Sequence, residues 1–79
     1  MDIRTRTANM LVRRYNIPKE VTMILFDDEL LTEHQAKKIL IRDEFVNKST
    51  KLRITELKIS LAERFNVSLS SVEKYTAGY

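Results

Sequence analysis

The chain has 79 residues, with one glycine, one proline, no cysteine and a formal net charge of +3. A chain of this length forms one small domain, residues 1–79, and without cysteine it has neither a disulfide nor a thiolate zinc site to stabilise it. No apolar stretch approaches the roughly 18 residues that cross a bilayer, so we expect a cytoplasmic protein with no membrane contact.

Charge is distributed unevenly along the chain. Residues 1–19 carry five bases against one acid, residues 20–46 carry three bases against seven acids, and residues 47–79 carry six bases against three acids. Because acidic segments repel phosphate, any nucleic-acid contact is expected from the C-terminal third. The N-terminal arginines fit two interpretations equally, an electrostatic arm for DNA or a solvated helix face; they are Arg4, Arg6, Arg13 and Arg14.

Scarce turn residues and the lack of strict apolar/polar alternation predict an all-α fold, a small bundle of about five helices. The first helix is predicted from Ile3 to Tyr15. Its apolar side is formed by Ile3, Ala8, Leu11, Val12 and Tyr15. Pro18 is predicted in the first turn of the second helix, because proline lacks the N–H that this turn leaves unpaired. The predicted buried stripe of that helix is Val21, Ile24, Leu25 and Phe26, and its end is Asp27-Asp28-Glu29.

A third helix is predicted to begin at a capping box. Thr32 is followed three residues later by Gln35, the spacing at which each side chain bonds the other's backbone N–H. The helix extends to about Asn47, and its apolar residues lie on more than one face, which indicates contacts on two sides. Residues 1–47 are therefore interpreted as supporting helices, and no internal repeat is evident.

The last third of the chain, residues 53–77, is predicted to be a helix-turn-helix. An apolar face over Ile54, Leu57, Leu61, Ala62 and Phe65 is followed by Asn66-Val67-Ser68 and then by a second face over Leu69, Val72 and Tyr75. Three residues is the connection length that this motif uses. Asn66 suits a left-handed helix end, Val67 fills the corner and Ser68 is a good N-cap. The expected exposed surface is Ser68, Leu69, Ser70, Ser71, Glu73 and Lys74.

The segment Leu61-Ala-Glu-Arg-Phe-Asn-Val-Ser-Leu-Ser-Ser-Val-Glu-Lys-Tyr75 resembles the helix-turn-helix DNA-binding domains of bacterial and phage regulators. With residues 41–45 before it, the chain is also loosely similar to Mor-type phage activators and mobile-element regulators. The resemblance implies that Ser70, Ser71 and Lys74 face base edges or phosphates, with Ser68 and Leu69 at the helix N-terminus. Asn66 stands where glycine is usual, and Leu69 where a polar base-reading residue is more common.

These features predict a DNA-binding transcriptional or mobile-element regulator that is not an enzyme and takes no cofactor or small-molecule ligand. Predicted phosphate contacts around the second motif helix are Lys51, Arg53, Lys58 and Arg64. With so few base-reading groups, a homodimer on two half-sites is expected. Ile59 is a candidate for the dimer contact or for a contact with the first helix. The alternative is a helical adaptor that binds another protein through Leu69 and Ile59.

Three further features have simpler interpretations than chemistry. His34 is interpreted as a surface residue, because a metal site needs more ligands than the chain offers around it. The acidic residues 27–29 mark a helix end rather than a cation site. Ser68, Ser70 and Ser71 lack a nearby base that could activate a nucleophile, so capping and phosphate contact are the expected roles.

Overall fold

The computed structural model describes residues 2–49 and 53–78. Within these residues there are five α-helices and no strand, which confirms the predicted all-α class. The helices are α1 (Ile3–Tyr15), α2 (Lys19–Asp27), α3 (Glu33–Lys48), α4 (Ile54–Phe65) and α5 (Leu69–Thr76). The chain divides into two compact units, unit 1 (Met1–Leu40) and unit 2 (Ile41–Tyr79), and α3 continues from the first into the second.

Unit 1 is built on an antiparallel pairing of α1 and α2. Near the start of α1, the Arg4 guanidinium lies 3.7 Å from the Asp27 carboxylate and 5.3 Å from the centre of the Phe26 ring. Because Phe26 and Asp27 end α2, these contacts set the first turn of α1 beside the last turn of α2. Side chains buried in unit 1 are Ile3, Thr7, Ala8, Met10, Leu11, Thr22, Phe26, Ala36 and Leu40.

The buried stripe of α2 differs from the prediction. Val21 and Ile24 are 42% and 55% exposed, whereas Thr22 and Phe26 are buried. This helix has only nine residues and carries apolar residues on both sides. Because a threonine occupies one of the inward positions, the hydrophobic pattern of the sequence does not identify the buried side. On α1, Val12 and Tyr15 are exposed for the same reason, since Thr7 and Met10 occupy buried positions instead.

Both ends of α1 are capped by side-chain or backbone geometry. The Asp2 carboxylate accepts hydrogen bonds from the Thr5 hydroxyl (2.7 Å) and the Thr5 N–H (3.3 Å), and these two bonds hold the pKa of the Asp2 carboxyl below its ordinary value. Asn16 ends the helix in the left-handed conformation, with φ 56° and ψ 35°. Pro18 is the N-cap of α2 rather than a residue of its first turn, so the helix begins at Lys19, later than predicted.

The capping box predicted at the start of α3 is confirmed. The Thr32 N–H donates to Gln35 Oε1 at 3.0 Å, and the Gln35 N–H donates to Thr32 Oγ1 at 3.2 Å. This reciprocal pair satisfies two N–H groups that a helix start otherwise leaves unbonded. The helix ends at Lys48, one residue beyond the predicted end.

Unit 2 combines the last part of α3 with α4 and α5. Its buried side chains are Ile41, Asp43, Phe45, Leu57, Leu61, Phe65, Val72, Tyr75 and Thr76. The prediction that Ile54 belongs to the packed face of α4 is wrong, because Ile54 is the first residue of the helix and its side chain is exposed. None of the described helices is long and apolar enough to cross a membrane.

Candidate nucleic-acid interface

The corner between α4 and α5 has the geometry that its sequence predicts. Asn66 ends α4 in the left-handed conformation, with φ 54° and ψ 49°. The Val67 N–H donates to the Ala62 carbonyl at 3.0 Å, and the Val67 side chain is half-buried in the corner. An asparagine tolerates this backbone conformation better than most residues with a side chain, so the turn closes without glycine.

Three serine hydroxyls meet at the start of α5. Ser68 is the N-cap, and its Oγ accepts a hydrogen bond from the Ser71 N–H at 3.1 Å. The same hydroxyl donates to Ser71 Oγ at 2.8 Å and lies 3.2 Å from Ser70 Oγ. The N-cap prediction for Ser68 is confirmed, and the cluster concentrates donors and acceptors where the helix dipole is positive.

The two sides of α5 differ in polarity. Val72 and Tyr75 are buried, as predicted. The outer face of α5, defined as Leu69, Ser70, Glu73 and Lys74, is exposed. Ser71 was predicted to be exposed with them but is half-buried, and its hydroxyl and N–H both bond to Ser68. The side chains that remain available to an external ligand are therefore small and polar, apart from Leu69 and the charged pair Glu73 and Lys74.

Arg42 fixes the end of α5, a contact that sequence analysis missed. Its Nε donates to the carbonyl oxygen of Tyr75 at 2.8 Å. A helix leaves its last carbonyls without partners and carries partial negative charge there. A guanidinium at this position therefore supplies a hydrogen-bond donor to a carbonyl and places positive charge at the negative end of the dipole. Arg42 and Tyr75 are far apart in the chain, and Arg42 belongs to an acidic stretch, so no local pattern indicates the contact.

Arg64 is held by a carboxylate of α3. Its two terminal nitrogens bond both oxygens of Glu44, with Nη2 lying 2.9 Å from Oε1. The Nζ of Lys48 lies 3.6 Å from Oε2 of the same carboxylate. Arg64, which was predicted as a phosphate contact, forms a bidentate pair that ties α4 to the part of α3 in unit 2, and its side chain remains 33% exposed.

The other predicted phosphate contacts are distributed along α4. Arg53 directly precedes the helix as its N-cap residue, with an exposed side chain, and Lys58 is half-buried on the helix. Lys51 lies outside the described residues. The structure thus brings the hydroxyls of Ser68, Ser70 and Ser71 together, and it pairs the Arg64 guanidinium with the Glu44 carboxylate.

His34 and the acidic residues 27–29 lie near helix ends. His34 is exposed near the start of α3. Asp27 ends α2, and Glu29 follows in a left-handed turn with φ 59°. Among residues 2–49 and 53–78 there is no group of three or more histidine, cysteine or acidic side chains that could hold a metal ion.

The corner between α1 and α2 is similar in length and conformation to the corner between α4 and α5. Both connections have three residues, and both begin with a left-handed asparagine, Asn16 with φ 56° and Asn66 with φ 54°. The sequence carries the signal that the search for repeats missed, since Arg14-Tyr-Asn-Ile-Pro18 parallels Arg64-Phe-Asn-Val-Ser68 at a constant offset of 50 residues. The similarity covers these five positions, and the capping bonds differ: the Ile17 N–H donates to the Leu11 carbonyl at 3.3 Å, one position earlier in its helix than the Ala62 carbonyl that accepts from Val67.

No protein family, curated protein or solved structure was found to match this chain. The function proposed next rests on the chemistry and placement of the side chains described above.

Proposed function

We propose that this chain is a DNA-binding regulator that docks α5 in the major groove of duplex DNA. The observation that carries the proposal is the exposed first turn of α5, where the hydroxyls of Ser68 and Ser70 adjoin a helix N-terminus. Helix N-termini favour phosphate, and serine hydroxyls bond both phosphate oxygens and base edges. The small side chains of this turn let the helix approach a groove closely.

Two long-range contacts support α5 as a rigid element. Arg42 bonds the backbone at its C-terminal end, and the bidentate pair of Arg64 and Glu44 joins α4 to the same stretch of α3. A recognition helix fixed before binding loses less conformational entropy when it docks. The support comes from helix backbone and inward residues, so it leaves the outer face of α5 to a ligand.

The charge of this surface predicts modest affinity. Lys74 is the basic residue of α5, it lies beside Glu73, and Arg64 is largely neutralised by Glu44. With about two or three phosphate contacts per copy, the logarithm of the DNA association constant should fall with the logarithm of the salt concentration with a slope of roughly −2 to −3. We therefore expect a homodimer that adds the contacts of two half-sites, acting in the cytoplasm on transcription or on a mobile element.

Fluorescence anisotropy of a labelled random duplex, titrated with the full chain at several salt concentrations, tests the proposal. Ser70→Glu and Lys74→Glu place negative charge on the outer face of α5, and each should weaken binding at least about tenfold at low salt. Lys37→Glu makes the same charge change as Lys74→Glu on α3 within unit 1, and it serves as the matched control. Absence of binding by the wild type at low salt, or equal weakening by all three variants, would overturn the proposal.

A protein-binding adaptor is the second candidate, because Leu69 and Ile59 are 40% and 44% exposed. Leu69→Ser separates the two functions. A DNA-binding helix should retain most of its affinity for duplex when Leu69 becomes a fourth serine, since hydroxyls also bond phosphate. A folded wild-type chain that binds no duplex at low salt would select the adaptor.

A further inference from the structure

The outer face of α5 consists of two strips with different chemistry. Leu69 and Glu73 are four residues apart and form one strip, the acidic strip. Ser70 and Lys74 are also four residues apart and form the other, the basic strip. Residues at this spacing lie above one another on a helix, and the two strips are separated by about 100° around its axis. All four side chains are exposed, so both strips are open to a ligand.

The two strips suit different parts of a DNA duplex. In the basic strip, the Ser70 hydroxyl can donate to phosphate oxygens and the Lys74 ammonium carries the opposite charge to phosphate. In the acidic strip, Leu69 has no polar group and the Glu73 carboxylate is repelled by phosphate. Base edges in the major groove offer partners for both, because the N4 amino group of cytosine donates to a carboxylate and the thymine methyl is an apolar contact.

We infer that α5 docks with its acidic strip toward the base edges and its basic strip toward one phosphate strand, and that Glu73 selects a cytosine. The inference rests on the proposed DNA-binding function and specifies the ligand as a duplex with a C·G pair opposite Glu73. If α5 were turned the other way about its axis, the Glu73 carboxylate would face the phosphates. Repulsion between these like charges disfavours that orientation.

Helix stability does not account for the acid at position 73. The first turn of α5, where the helix dipole favours an acid, contains none, and Glu73 lies in the second turn. The inner side of the helix is fixed by the buried side chains of Val72 and Tyr75 and by the Arg42 bond to the Tyr75 carbonyl. The two strips therefore have a set orientation within unit 2 before a duplex binds, and Glu73 keeps its position relative to Lys74.

Selection of bound sequences from a random duplex pool by the full chain tests the inference. The wild type should select a site with a preferred C·G pair, and replacing that pair should raise Kd about fivefold or more, as loss of a specific base contact does. Glu73→Gln should shift the preference at that pair to adenine, because a glutamine amide bonds adenine N6 and N7. Glu20→Gln makes the same change at an exposed residue of α2, and it should leave the selected site unchanged. Circular dichroism checks that the variants remain folded.

Lys74→Gln distinguishes the two orientations of α5. Because Lys74 is assigned to phosphate, this change should weaken binding to selected and random duplexes alike, reduce the salt slope by about one and leave the preferred bases unchanged. Three results would overturn the inference while leaving DNA binding in place: a wild-type site without a preferred cytosine, a cytosine preference that Glu73→Gln retains, or a base preference that Lys74→Gln changes. Absence of duplex binding by the wild type at low salt would overturn both the inference and the proposed function.

Discussion

The two helical hairpins share a corner but differ in what they bury and expose. Both use a left-handed asparagine followed by a branched apolar residue, Ile17 or Val67. In α4–α5 the aromatic residue before the asparagine is in the core, whereas in α1–α2 it is at the surface. The turn geometry is therefore compatible with different surroundings, and the residues around it decide which surface each hairpin offers to a partner.

The aromatic residues that precede the two asparagines give the strongest test of this contrast. Phe65 is 1% exposed and Tyr15 is 62% exposed. Phe65→Ala should lower the free energy of unfolding by about 3–5 kcal/mol, since it leaves a cavity in the core of unit 2. Tyr15→Ala should change it by less than about 0.5 kcal/mol, as exposed sites do. Urea denaturation followed by circular dichroism measures both, and comparable losses would mean that the two corners do not differ in burial.

Buried threonines provide the next contrast. Among the described residues, Thr22 of α2 has a buried hydroxyl without a hydrogen-bond partner, whereas the Thr76 hydroxyl of α5 donates to the Val72 carbonyl at 2.8 Å. Thr22→Val should raise the free energy of unfolding by about 1 kcal/mol because an unsatisfied buried hydroxyl disappears. Thr76→Val removes a bonded hydroxyl and should lower it by about 1 kcal/mol. Thermal unfolding of the two variants gives opposite signs, and a shared sign would contradict the assignment.

The ion pairs of the two units give the smallest difference. Arg64 donates two hydrogen bonds to the mostly buried carboxylate of Glu44. By contrast, Arg4 and Asp27 lie 3.7 Å apart and both side chains are exposed. A double-mutant cycle with Glu44→Gln and Arg64→Met should give a coupling energy near the upper end of the roughly 0.2–1 kcal/mol found for surface pairs. The equivalent cycle with Arg4→Met and Asp27→Asn should give a value close to zero. Equal coupling in both cycles would remove the distinction.

Local chemistry predicted most of the helix boundaries. The capping box of Thr32 and Gln35, the left-handed Asn66 and the N-cap Ser68 each depend on residues within one or two turns. Such contacts follow from side-chain type and spacing, which a sequence displays directly. The all-α class followed from the same information together with the scarcity of turn residues.

Contacts between distant segments could not be predicted. Arg42 bonds a backbone carbonyl 33 residues away, and Arg64 bonds Glu44 20 residues away. A charged side chain has many possible partners at such separations, and only the packed fold selects one. The inward position of Thr22 was missed for a related reason, because a polar residue in a short helix gives no hydrophobic signal.

The bond between Arg42 and the Tyr75 carbonyl has a consequence for how α5 can change. Its acceptor is a backbone oxygen, and the inward side chains Val72 and Tyr75 supply the rest of the support. Substitutions at positions 69, 73 and 74 therefore leave the described hydrogen bonds at the helix ends intact, and a change at Ser70 removes only its contact with the Ser68 hydroxyl. The outer face of α5 can be rewritten for a different ligand, by evolution or by design, at little cost in stability.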